Sequence, residues 1–153
     1  MTREELFEFI QKIDDPLKDY GKILANLHYT HYYLMDGYKK ILDSYDLTFI
    51  QSNVLGIIIH QYPKSLSLEE IKAMVLEAGS DVSRIVARLS GKGFIEKITD
   101  DENRRKLSIR ATAKGLEISR QMEADQRFKE FTQGVSLSES KAFIKFLGKL
   151  RQH

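Results

Sequence analysis

Val82, Ile85, Val86 and Leu89 stand at i, i+3, i+4 and i+7, the spacing of a helical stripe that faces a core. A stripe so placed turns Ser80, Ser83, Arg84, Ala87 and Arg88 outward. A guanidinium fork can bond two acceptors on a guanine edge, or a phosphate. Serines near a helix start can bond phosphates beside the backbone N–H groups. A second cluster follows at Arg104, Arg105 and Lys106, and the stretch 103–114 (NRRKLSIRATAK) holds five basic side chains and no acidic one. Arginines at the tip of a narrow hairpin can reach a minor groove, where negative potential concentrates over A·T-rich steps. The two clusters support each other as a footprint for double-stranded nucleic acid. The other reading of both is a solvated surface.

Other chemistry is poorly served. The chain has no cysteine, which excludes disulfides and thiol nucleophiles. His28 and His31 have an i, i+3 spacing that can place two imidazoles on one metal. His31, however, sits on an apolar seam, and no acidic pair nearby completes a site, so no metal is expected. There is no phosphate-cradling glycine loop, no H-E-x-x-H and no nucleophile elbow. Asp14-Asp15 and Asp100-Asp101 fall in turn-like segments and read as solvated. Neither an enzyme nor a cofactor is expected.

These residues must be held by a small helical protein. At 153 residues, with 42% hydrophobic and 30% charged side chains, one compact domain with a real core is expected. No apolar run approaches the roughly 18 residues of a membrane span, and the start, MTREELFEFI, lacks the pattern of a signal peptide. A cytoplasmic protein without a membrane partner is expected.

A long helix is predicted from near Pro16. Bulky residues recur at Leu17, Tyr20, Leu24, Leu27, His31, Leu34, Tyr38, Ile41 and Tyr45, a heptad seam on one face. Nearly thirty helical residues would span about 45 Å, too long to be covered by a small monomer. A buried helix opens at Thr48, where Gln51 has capping-box spacing, and ends at Tyr62-Pro63. Another starts at Ser67 with Glu70. After a turn near Leu76 to Gly79 comes the Val82 stripe, stopped by Gly91 and Gly93. Phe94 to Ile98 and Lys106 to Ala111 read as a hairpin, Thr112 as a helix cap, and a last helix follows Ser136 or Ser138.

Two short helices joined by a tight turn, followed by a basic hairpin, make a winged helix-turn-helix. Residues 47–115 resemble the DNA-binding core of the multiple antibiotic resistance regulator (MarR) family. LTFIQSNVL is similar to the opening of its second helix, and DVSRIVARLSGKGFIEK to its recognition helix and first wing strand. NRRKLSIRATAKG is similar to its second wing strand and the helix that follows. Three positions depart from the family's habit. Asn103 stands for a wing aspartate, Lys72 for an alanine, and Leu76 for the turn glycine.

The resemblance implies a mainly α protein with a small β-hairpin wing, formed as one domain over 1–153. The winged-helix lobe would span about 47–112, and the dimerisation helices about 1–45 and 113–153. It implies a homodimer reading a pseudo-palindromic operator on double-stranded DNA, usually as a repressor. DNA contacts would fall to Ser80, Ser83, Arg84, Arg88, Arg104, Arg105 and Lys106. A small aromatic or anionic ligand would bind between the first helix and the lobe, at His28, Tyr29, Tyr32 and Tyr33. The alternative for those rings is packing on neighbouring helices. The alternative for the whole chain is a winged helix used only for protein–protein contact. Leu6, Phe7, Phe9 and Ile10, with Phe143, Phe146, Leu147 and Leu150, are expected in the dimer core.

Overall fold

The computed structural model describes residues 2–12, 19–75, 79–99 and 107–152. Helix α1 (Arg3–Gln11) opens with a reciprocal capping box between Thr2 and Glu5. The long helix α2 (Asp19–Asp43) has 25 residues. The expected start at Pro16 and the seam residue Leu17 lie outside the described residues. Helix α3 (Phe49–His60) is capped by Thr48 and Gln51 as the spacing predicted. Strand β1 (Leu66–Ser67) leads into α4 (Leu68–Met74), where Ser67 and Glu70 form another capping box. Helix α5 (Val82–Gly91) follows, then strands β2 (Ile95–Thr99) and β3 (Leu107–Ala111). Helix α6 (Ala113–Ala124) is capped by Thr112, α7 (Gln126–Glu130) by Asp125, and α8 (Leu137–Leu150) by Ser136 with Glu139.

The core sits in the middle of the chain. Val54, Leu55, Ile58, Ile71 and Leu89 are completely buried, with Leu47, Val82, Val86, Ile95 and Ile109 nearly so. Each fully buried side chain of this kind contributes about 1.5–3 kcal/mol. Helix α3 is the hub, because residues on several of its faces are apolar and it packs against α2, α4, α5, α6 and β3.

Several expectations are corrected. The sheet is three-stranded, antiparallel, in the order β1-β3-β2. The two-residue strand β1 was not expected, since so short a segment shows no alternation to read. Phe94 is not a strand residue. It is buried in the bend before β2. Residues 3–11 form their own helix, and the helix after Thr112 breaks at Asp125. The seam of α2 is uneven: Ile41 is buried, whereas Tyr20 is 79% exposed and Leu24 68% exposed.

The base of the hairpin is locked to α6. The Thr112 N–H donates to the Phe94 carbonyl (3.0 Å), and the Thr112 hydroxyl to that of Gly93 (2.7 Å). Gly93 has φ +74°, a left-handed conformation that glycine adopts freely. A Cβ at Gly115 would lie 2.1 Å from the Phe94 carbonyl oxygen, a backbone atom that cannot swing aside. Gly115→Ala is therefore expected to cost about 2–3 kcal/mol through overpacking and to lower Tm by roughly 5–10 °C. A thermal melt followed by circular dichroism checks this, and an unchanged Tm would show that the contact is not tight.

Candidate nucleic-acid interface

Helix α5 presents two sharply different faces. Val82, Ile85, Val86 and Leu89 are buried, while Ser83, Arg84, Ala87 and Arg88 are exposed. The split follows from the 3.6-residue period. The inner stripe packs against α3, so the outer face has one orientation available to it. The preceding helix α4 completes the pair, with Ile71 fully buried.

The start of α5 differs from the expectation. The helix begins at Val82, and its N-cap is Asp81, whose carboxylate accepts the Arg84 N–H (3.1 Å). Ser80 precedes the cap and is half-buried; its carbonyl accepts the Val82 N–H (2.9 Å). The capping carboxylate also lies 3.5 Å from the Arg84 Nε, in a pair whose side chains are 72% and 59% exposed. Such an exposed pair is weak and readily exchanged for another anion. Among the described residues, Arg88 is exposed and makes no ion pair.

The hairpin gives a second correction. Arg110 is directly opposite Glu96 in the β2–β3 register, and its Nη2 and Nε donate to one Glu96 carboxylate oxygen at 2.7 and 3.1 Å. Lys114 lies over the Phe94 ring and donates to the Lys92 carbonyl (2.8 Å). Two of the five basic residues in 103–114 thus serve the fold. Cross-strand pairing with Glu96 was the missed signal, readable only once the register is known. Arg104, Arg105 and Lys106 lie outside the described residues.

The aromatic cluster of α2 packs on α1, away from the lobe. Tyr29 stacks on Phe7 with ring centroids 4.3 Å apart, and His28 meets Tyr32 edge-on. His28, Tyr29 and Tyr32 line a cleft of about 300 Å³ with Leu6, Phe7, Ile10 and Ala25. Tyr33 lines a neighbouring cleft with Glu4, Asp36 and Lys39. A different cleft, of about 290 Å³, lies between α2 and the lobe, and its lining includes Tyr38, Leu42, Phe49, Ser52, Met122 and Phe128. Sequence reading missed these residues because they come from α2, α3, α6 and α7. Tyr38, a seam residue, was the one available signal. Among the described residues, no group of three His, Cys, Asp or Glu side chains could hold a metal ion, and no helix is long and apolar enough to cross a membrane.

A two-helix unit with an outward cationic face, closed by a small sheet, is the geometry of a winged helix. Residues 47–115 match the family model for the winged helix DNA-binding domain. No curated protein sequence matches the chain closely. Among solved structures, a mutant of E. coli MarR complexed with operator DNA is 19% identical, with a TM-score of 0.72, covering 90% of this chain and 99% of that one. A MarR-like transcription regulator from Bacillus cereus is 16% identical, with a TM-score of 0.71 and coverage of 88% and 97%. Bordetella bronchiseptica BpsR, whose DNA binding is regulated by 6-hydroxynicotinic acid, is 20% identical, with a TM-score of 0.68 and coverage of 83% and 91%. Residues 47–115 thus form a winged helix domain, and nearly all of the chain has the fold seen in the MarR-like transcription regulators.

The cap at Asp81 sets where α5 begins. Asp81→Ala is expected to destabilise the protein by about 1 kcal/mol, while Asp81→Asn, which keeps an acceptor, loses only a few tenths. Urea melts of the two variants measure the difference, and equal losses would contradict the capping role.

Proposed function

We propose that this protein is a cytoplasmic, homodimeric transcription repressor of the MarR type that binds a pseudo-palindromic operator on double-stranded DNA. The observation carrying the proposal is the outer face of α5, where Ser83, Arg84 and Arg88 are exposed opposite a wholly buried stripe. Arg84 and Arg88 read base edges or phosphates in the major groove, Ser83 supports them, and Ser80 flanks the helix start. Arg104, Arg105 and Lys106, between β2 and β3 in the sequence, grip the backbone or minor groove. The helices outside the lobe pair two subunits. Supporting this are the exposed Leu6 and Phe9 of α1, Tyr20 and Leu24 of α2, and Phe143, Ile144 and Phe146 of α8.

The reading is tested with duplexes recovered from genome fragments by the purified protein. Arg84→Ala and Arg105→Ala each weaken binding and lower the salt slope by about one unit where a phosphate contact is lost. Light scattering at micromolar protein gives a dimer mass. An unshifted duplex in a gel assay would favour a winged helix that binds only proteins, and a monomer mass would remove the two-fold reading.

A second proposal concerns regulation. The cleft at His28, Tyr29 and Tyr32 combines aromatic walls with one imidazole, a lining that fits a small planar acid. The neighbour BpsR supports the idea at the level of fold, because its DNA binding responds to such a compound. In a thermal-shift screen of aromatic acids, at least one compound is expected both to raise Tm and to weaken DNA binding. His28→Ala should abolish both effects. A screen in which no compound does both would reject the sensing role.

A further inference from the structure

Three consecutive residues at the corner between α2 and α3 reach two distant parts of the molecule. The Ser44 hydroxyl accepts from Arg127 Nη2 (3.0 Å). The Tyr45 hydroxyl donates to Asp125 Oδ2 (2.7 Å), 80 positions along the chain. Asp46 receives Lys92 Nζ on its carboxylate (2.9 Å) and on its own carbonyl. Asp125 is the residue at which α6 breaks into α7, and Lys92 is the C-cap of α5. The corner thus touches the break in the C-terminal helices on one side and the end of the DNA-facing helix on the other.

The contacts have the character of a built joint. Asp125 is only 10% exposed, and Arg127 grips its carboxylate at 2.6 Å while the Arg127 N–H also donates to it. The Arg127 guanidinium and then the Tyr45 hydroxyl hold the Asp125 carboxyl well below the usual carboxylate range. The bond to Asp125 in turn pushes the Tyr45 phenol up. Asp46 adopts φ +54°, a left-handed conformation uncommon outside glycine but tolerated by Asp and Asn. Lys92 is itself fixed from behind, since its carbonyl accepts from Lys114 at the start of α6.

We propose that residues 44–46 form a joint that fixes the angle between the DNA-facing lobe and the flanking helices, and so sets the half-site spacing that the dimer accepts. This rests on the dimeric, DNA-binding reading above. In a two-fold dimer the separation of the recognition helices depends on how each lobe is hung from the dimerisation helices. Ser44, Tyr45 and Asp46, with Asp125, Arg127 and Lys92, are positioning residues. They act on DNA only through the placement of α5.

The absence of cysteine makes a direct test available. A spin label at Glu69→Cys, on the exposed side of α4, reports the lobe-to-lobe distance in the dimer by pulsed electron resonance. The test variant is Tyr45→Phe/Asp46→Asn, which keeps the ring and the tolerated left-handed turn, removes the Tyr45 link and takes the charge out of the Asp46 link. Lys92→Met is the second variant, with a thermal melt checking that each folds. Both variants are expected to broaden the distance distribution. On the selected duplex, one base pair inserted between half-sites turns one of them by about a tenth of a turn. The affinity penalty for that insertion should fall by about fivefold or more, with the salt slope unchanged. An unchanged distribution in both folded variants overturns the joint whatever the DNA result. Broadening in a dimer that binds no duplex would instead remove the DNA-binding reading and, with it, the spacing role.

Discussion

The packing of α5 on α3 is the constraint from which the rest of the interface follows. Four aliphatic side chains of α5 pack into the core that α3 makes with α4 and β2, among the buried Val54, Leu55, Ile58, Ile71 and Ile95. Exposing that stripe would cost several times the worth of any ion pair on the opposite face. The helix therefore cannot roll, and the outward direction of Ser83, Arg84 and Arg88 is decided by hydrophobic burial, not by the arginines themselves. Charge then has only to be placed on the face that burial leaves free.

The sheet and the following helix extend this logic. Ile95, Ile109 and Ala111 bury one side of the hairpin against the same core, and Glu96 with Arg110 closes the other side. The Thr112 and Gly115 contacts with Gly93 and Phe94 leave no slack between hairpin and α6. Around this rigid lobe the helices are less self-sufficient. Large apolar residues of α1, α2 and α8 stand in solvent, more than scattered single residues would explain. A second subunit covering them is the arrangement that the proposed two-fold function requires.

Much of this was legible in the sequence where local rules and the global fold agree. Thr48 with Gln51 and Ser67 with Glu70 marked two helix starts, because a capping box is a local device. The Val82 stripe marked the exposed arginines for the same reason. The misses have physical causes too. Thr2 and Glu5 carry the same box, ahead of a short helix whose apolar residues also suit a dimer surface. Ser80 was expected on the outer face of this helix, yet it precedes the cap, which the carboxylate of Asp81 holds one residue on. The partners of Arg110, Tyr45 and Asp46 are 14 to 80 positions distant, and no local pattern encodes them. The ring cluster at His28 to Tyr32 was readable as a cluster, but its position against α1 depended on where α1 folds back.

The central claim is that the outer face of α5 lies in the major groove, once per subunit. Affinity cleavage tests it most directly. An iron chelate tethered to a single cysteine introduced at Ala87 places a cutting reagent on that face of an otherwise cysteine-free chain. The account predicts two clusters of strand breaks in the bound duplex, with the stagger of a major-groove source and about 10 base pairs, or a multiple of that, between their centres. A single diffuse cluster, or cutting no stronger than from a chelate on the far side of the molecule at Glu130, would contradict it.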